Sequence, residues 1–191
     1  MSVILGIASS DRWLKSVLAN FDEFLIDHAA NERKASAMAM SLVAHYPNRH
    51  KLVRSMIDLA LEELNHFRQV IRVMQDRGLV MKPDEKDPYV NQMRANTRKD
   101  PKEYFLDRLL SSALIEARGE ERFQLISNSV KDKRLKSFYR MLATSEKGHH
   151  KLFLELAEQY FEKRTVYKRL SEWVVIEHGI IRQLPVRCKL H

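Results

Sequence analysis

The sequence predicts an all-α protein, a four-helix bundle with a long crossover between helices two and three and extra helices at the ends. Three observations lead there. Along four long stretches, apolar residues recur at steps of three and four, the period of one helix face. Only 5 Gly and 5 Pro interrupt the 191 residues, which permits long helices and argues against a turn-rich all-β chain. The connections between the four stretches are short, long and short, so two antiparallel hairpins are joined by one crossover.

Taken in order, residues 11–18 predict a short first helix. Residues 20–45 predict the first long one, with the stripe Phe21, Leu25, His28, Glu32, Ala35, Ala39 and Leu42. Pro47 suits the first turn of the second long helix, which continues to Arg77 and stops at Gly78. Its stripe is Leu52, Met56, Leu59, Glu63, His66 or Phe67, Val70 and Met74. Over residues 79–99 the pattern weakens. Pro83, Pro88 and several charges mark the crossover, with a short helix at 89–95. Asp100 and Pro101 then supply an N-cap and a first-turn proline. The third long helix carries Phe105, Leu109, Ser112, Glu116, Gly119, Phe123 and Ile126. After a break at 128–131, the fourth carries Phe138, Leu142, Ser145 or Glu146, His149, Leu152 or Phe153, Leu156 and Tyr160. A last helix is expected at 166–180. Helices of about 25 to 30 residues reach roughly 40 Å, and the pattern is the ferritin-like version of the bundle. Residues 1–191 are read as one domain, a length able to bury a sizeable core.

Hydrophobic residues make up 45% of the chain and charged residues 30%, an ordinary folded balance. The formal net charge of +8 points to a polyanionic partner. Cys188 is the single cysteine. It excludes an internal disulfide and a thiolate metal cluster, and it suits a reducing cytoplasm. The apolar run at residues 3–8 is short and lacks a basic leader, unlike a signal peptide. No uninterrupted apolar run is long enough to span a bilayer, so no stable membrane insertion is expected.

The chemistry lies where carboxylates interrupt the apolar stripes. A lone buried carboxylate costs several kcal/mol, so such groups are paired or metal-bound. Glu63 and Glu146 are each followed three residues on by a histidine, His66 and His149. That spacing puts both side chains on one helix face. Glu32 precedes Glu63 by 31 residues and Glu116 precedes Glu146 by 30. The motif of one Glu and then Glu-x-x-His therefore occurs once per hairpin, which is the ligand pattern of carboxylate-bridged di-metal bundles. Four carboxylates and two neutral histidines balance two divalent ions, and carboxylate and imidazole suit iron or manganese. Salt bridging is the competing reading, with Arg33, Arg68, Arg118 and Arg122 as partners. Glu120 lies one turn beyond Glu116 and is its rival. Glu62 is off the stripe by about 100°. His28, one turn before Glu32, reads as a core histidine or as a neighbour of the ligands. His45, His50, His150, His178 and His191 carry no motif.

The cations are unevenly spread. Lys131, Lys133, Arg134, Lys136 and Arg140 cluster against Asp132 alone, and the last segment adds Lys168, Arg169 and others. Of these, Lys131, Lys133, Arg134, Lys136, Lys168 and Arg169 are the expected phosphate contacts of an RNA.

With these residues laid out, the chain resembles the bacterial tRNA hydroxylases that act on 2-methylthio-N6-isopentenyladenosine beside the anticodon, within the ferritin-like di-iron superfamily. The resemblance rests on His28-Ala-Ala-Asn-Glu32-Arg-Lys-Ala-Ser, Glu62-Glu63-Leu-Asn-His66-Phe, Glu116-Ala-Arg-Gly-Glu120-Glu-Arg-Phe and Ser145-Glu146-Lys-Gly-His149. It implies a mono-oxygenase with two iron ions held by Glu32, Glu63, His66, Glu116, Glu146 and His149. Dioxygen would be co-substrate and tRNA the substrate. No Gly-x-Gly-x-x-Gly fingerprint is present, so electrons are expected from a separate reductase. Three rivals remain on the sequence alone: iron oxidation or peroxide reduction, hydroxylation of a membrane quinone using the apolar stretch from Trp173 to Ile176, and non-enzymatic RNA binding.

Overall fold

A computed structural model describes residues 4–191; the apolar run read at residues 3–8 thus begins outside the described residues. Seven helices are described: α1 (Asp11–Ala19), α2 (Phe21–His45), α3 (His50–Asp76), α4 (Pro88–Ala95), α5 (Pro101–Ser129), α6 (Lys133–Tyr160) and α7 (Lys163–Gln183). They fall into two compact units. One is Ala19–Glu85 with Cys188–Leu190; the other comprises the chain up to Leu18, Lys86–Arg187 and His191.

The first unit is the α2–α3 hairpin. Its facing stripes bury Phe24, Leu25, Leu42, Leu52, Met56 and Val70 completely. Ser36 Oγ donates to the Ala60 carbonyl at 2.9 Å and ties the two helices at mid-length. The linking turn corrects one expectation. Pro47 does not open α3; Arg49 N donates to Tyr46 O at 3.1 Å, so Pro47 occupies the second position of a turn. Its fixed φ suits that position as well as a helix start, and α3 begins three residues later. At the other end α3 stops as expected. Gly78 sits at φ +69, where a side chain is disfavoured. Leu79 N bonds Met74 O and Gly78 N bonds Gln75 O, the paired closure of a Schellman motif.

The second unit is the α5–α6 hairpin with α4 and α7 packed on α5. This explains why α5 is buried nearly all round, with Leu106, Leu110, Ala113 and Leu114 inside as well as its predicted stripe. Near the start of α6 the buried aromatic is Tyr139 rather than the expected Phe138, which is only half-buried; Phe153 is buried further along. Three helices start on an aspartate whose side chain takes two first-turn amides: Asp87, Asp100 and Asp132. Asp87 with Pro88 repeats the Asp100–Pro101 signal, so α4 starts one residue earlier than expected. Helix α7 starts three residues earlier, because its first turn is exposed and carries no apolar mark before Val166.

Buried charge organises this unit. Asp107, fully buried on α5, accepts from Arg98 N and guanidinium, from Arg169 Nε and Nη2 at 2.8 Å, and from Trp173 Nε1 at 3.1 Å. Burial alone would raise its pKa, but the bonds from Arg169 and Arg98 outweigh that and hold it at about 2. A depressed carboxylate stabilises the fold above its unfolded pKa near 3.9 and loses that contribution as pH falls towards 2. Asp107→Asn is therefore expected to cost about 2 kcal/mol at pH 7 and less at pH 3. Urea melts of both forms at the two pH values check this; an equal gap at both would contradict it.

Candidate metal centre

Each hairpin brings three candidate ligands together. In the first, α2 supplies Glu32 and α3 supplies Glu63 and His66. One donor atom from each lies within 4.8 Å of the others, and all three are nearly inaccessible. His66 Nδ1 is 3.3 Å from Glu63 Oε2 and 3.6 Å from Glu32 Oε2. The i, i+3 spacing on α3 makes the first contact; the facing stripe of α2 makes the second. Burial lowers the His66 pKa, but the hydrogen bonds and negative charges of Glu32 and Glu63 outweigh it and carry it to about 10. Two adjacent carboxylates thus attract a positive charge into an apolar interior.

His28 completes this corner. Its Nε2 is 2.6 Å from Glu32 Oε1, with both groups buried. Of the two readings of His28, the neighbour of the ligands is the one the geometry favours; the signal in the sequence was the i, i+4 spacing to Glu32. Glu62 has its side chain 48% exposed, yet its Oε1 lies 3.9 Å from His66 Nε2.

In the second hairpin α5 supplies Glu116, and α6 supplies Glu146 and His149, again mutually within 4.8 Å and buried. His149 Nδ1 lies 3.3 Å from Glu146 Oε2 and 4.0 Å from Glu116 Oε2. Glu120, the rival of Glu116, turns instead to His150, 3.1 Å from its Nδ1. A Cβ on Gly119 would make ordinary contact with Glu146 Cγ at 3.7 Å, so steric exclusion alone does not demand glycine there.

The arginines that offered a salt-bridge explanation are engaged elsewhere. Arg33 pairs with Asp84, Arg68 bonds Asn65, Arg118 pairs with Glu177 and Glu121, and Arg122 Nε donates to Ser9 Oγ. Two triads of two carboxylates and one imidazole fit hard divalent ions that accept O and N donors. The expected RNA contacts divide. Lys131, Lys133, Arg134 and Lys168 are exposed and Lys136 partly so. Arg169 is committed to Asp107 and Glu172, both at 2.8 Å.

The fold and the triads define a class: all-helical, ferritin-like proteins with buried carboxylate–histidine clusters on facing helices. A protein from Synechococcus with aldehyde deformylating oxygenase activity matches this chain with a TM-score of 0.93 and 31% identity, over 98% of this chain and 94% of its own. That likeness bears out the all-α, ferritin-like expectation. The model of the tRNA-(MS[2]IO[6]A)-hydroxylase (MiaE) family matches residues 1–191, and the chain belongs to that family. A tRNA 2-(methylsulfanyl)-N(6)-isopentenyladenosine(37) hydroxylase of Pseudomonas putida is 35% identical over 191 residues, all of this chain and 93% of the relative. One of Salmonella typhimurium is 34% identical over 133 residues, 70% of this chain and 48% of that protein.

Removing a ligand should empty the site without unfolding the helices. Glu63→Ala and His149→Ala are each expected to lose most bound iron while keeping the helical circular dichroism of the parent. Iron analysis of the purified variants decides; full occupancy in both would sink the ligand assignment.

Proposed function

We propose that this chain is a two-iron mono-oxygenase that hydroxylates the isopentenyl group of 2-methylthio-N6-isopentenyladenosine in tRNA, next to the anticodon. The observation that carries the reading is the pair of buried Glu, Glu-x-x-His triads in a chain that belongs to this hydroxylase family along its whole length. Glu32, Glu63 and His66 from one hairpin and Glu116, Glu146 and His149 from the other would hold the two irons, so residues 1–191 act as one domain. Bound there, the irons would supply reductive activation of dioxygen, one atom going to carbon and the other to water.

The chain's own residues set the conditions. Burial of both triads keeps bulk water from the ligands and strengthens every charge interaction there. His28 holds Glu32 by one oxygen and so orients the carboxylate. The reaction consumes two electrons and two protons per hydroxyl group made. This chain has one cysteine and no dinucleotide fingerprint, which supports a separate reductase as donor. Lys131, Lys133, Arg134, Lys136 and Lys168 remain the candidates for phosphate contact. No helix among the described residues is long and apolar enough to cross a membrane, and the proposed place of action is the cytoplasm, with the tRNA. The quinone alternative loses support: Trp173 is fully buried, and of the Trp173 to Ile176 stretch only Val175 is largely exposed.

A nucleoside mass spectrum of tRNA from cells with and without this protein tests the reading. A prenylated adenosine heavier by one oxygen is expected only where the protein is present. An unchanged spectrum, with abundant precursor and an iron-loaded protein, would abandon the tRNA substrate. In vitro, NADH alone is expected to give no turnover until a reductase is added.

A further inference from the structure

A cavity of about 230 Å³ opens in the second unit, between the segment before α1, the start of α4, α5 and the chain that follows α7. Neither triad takes part in it. Its lining includes three arginines, Arg122, Arg182 and Arg187, together with His191. Trp13 and Tyr89 form aromatic sides, and no carboxylate side chain is among the described lining residues. We propose that this cavity is a binding site for a phosphate group.

The site is built rather than loose. Arg122 is buried and lies over the Trp13 ring, 4.6 Å from its centroid. Its Nε donates to Ser9 Oγ at 3.1 Å. Ser9 is itself pinned: its N and Oγ both donate to Glu121, at 2.5 and 2.7 Å. Behind the wall, Arg118 takes up the nearby acids, donating to Glu177 Oε1 at 2.7 Å and Glu121 Oε2 at 2.8 Å. Those carboxylates are thus spoken for by a guanidinium outside the cavity. Burial and the charge of Arg118 push Arg122 down to about 10 against the pull of Glu121 and Glu177. His191 stacks on Tyr89 with centroids 5.0 Å apart, its side chain 6% exposed and its Nδ1 3.4 Å from Asp87. Its Nε2 has no hydrogen-bond partner among the described residues. Guanidinium forks match the paired oxygens of a phosphate, and several cations around one small cavity suit a divalent anion better than a carboxylate.

Two sources share this chemistry: a phosphodiester of the RNA, which rests on the function proposed above, and a free phosphorylated small molecule. Inorganic phosphate titrated calorimetrically into the iron-loaded chain should bind saturably. Arg182→Ala/Arg187→Ala changes only exposed and half-buried side chains, so it keeps the fold. It should weaken phosphate binding at least tenfold with iron content and melting temperature unchanged. Arg122→Lys, which keeps the charge and loses the fork, should weaken it as well. Glu63→Ala should bind phosphate like the parent, which separates this site from the metal centre. The same double variant is then titrated with unmodified tRNA at several salt concentrations. A salt slope shallower by about 0.7 to 0.9 per lost contact identifies RNA as the source; an unchanged slope beside weakened phosphate binding identifies a free ligand. Absence of saturable binding, equal affinity in both arginine variants, or loss of binding in Glu63→Ala would overturn the proposal.

Discussion

Everything else in this protein depends on carboxylates buried inside helix faces that are otherwise apolar. Glu32, Glu63, Glu116 and Glu146 are each less than a tenth exposed. Moving an ionised carboxylate from water into such an interior is among the costliest things a fold can do. It persists only where an opposite charge sits beside it. In these hairpins the available arginines point elsewhere and the near neighbours are histidines. The packing sets carboxylates and an imidazole of facing helices side by side, with the two donors on each of α3 and α6 one turn apart, an arrangement suited to a cation.

The second unit meets the same cost in another way. Arg118 and Glu177, both fully buried, pair at 2.7 Å, and Asp107 is surrounded by Arg98, Arg169 and Trp173. These clusters are closed: each carboxylate has its cations within the chain. Replacing such pairs by apolar residues is often neutral in stability, so their presence says more about which elements are held together than about net energy. Here they join the segment before α1, the crossover, α5 and α7. In the triads, by contrast, carboxylates outnumber the imidazoles two to one. The closed clusters fasten helices; the triads group donor atoms that suit a cation.

Much of this was legible in the residues. The stripes predicted the four long helices because three- and four-residue periodicity reports directly which face is buried. The repeat of Glu and Glu-x-x-His predicted both triads, since helical spacing is local and needs no knowledge of tertiary contacts. The start of α5 was legible where Asp100 precedes Pro101, whereas the same signal at Asp87–Pro88 was passed over, and Gly78 ended α3, as expected, at a positive φ. Pro47 misled because a proline serves a turn and a helix start equally well. Phe138 was read on the stripe in place of Tyr139, its buried neighbour, because α6 buries more than one narrow stripe. Arg169 looked like free surface charge because its partner Asp107 lies 62 residues away in sequence, and pairing at that distance leaves no periodic trace.

The same reasoning explains why net charge was a blunt guide. The formal charge of +8 counts every cation alike, yet the fold sorts them. Arg118 and Arg169 are absorbed in closed clusters. Lys131, Lys133, Arg134 and Lys168 stay in water, where screening makes each a weak, long-range attractor. Arg122 on α5 meets Arg182 and Arg187, 60 and 65 residues further along the chain, around one cavity, where the proposed phosphate site would use guanidinium forks as anion ligands. Surface lysines can steer a polyanion towards the protein, whereas a walled group of arginines can fix where one phosphate rests. Specific docking of a large RNA substrate draws on both terms.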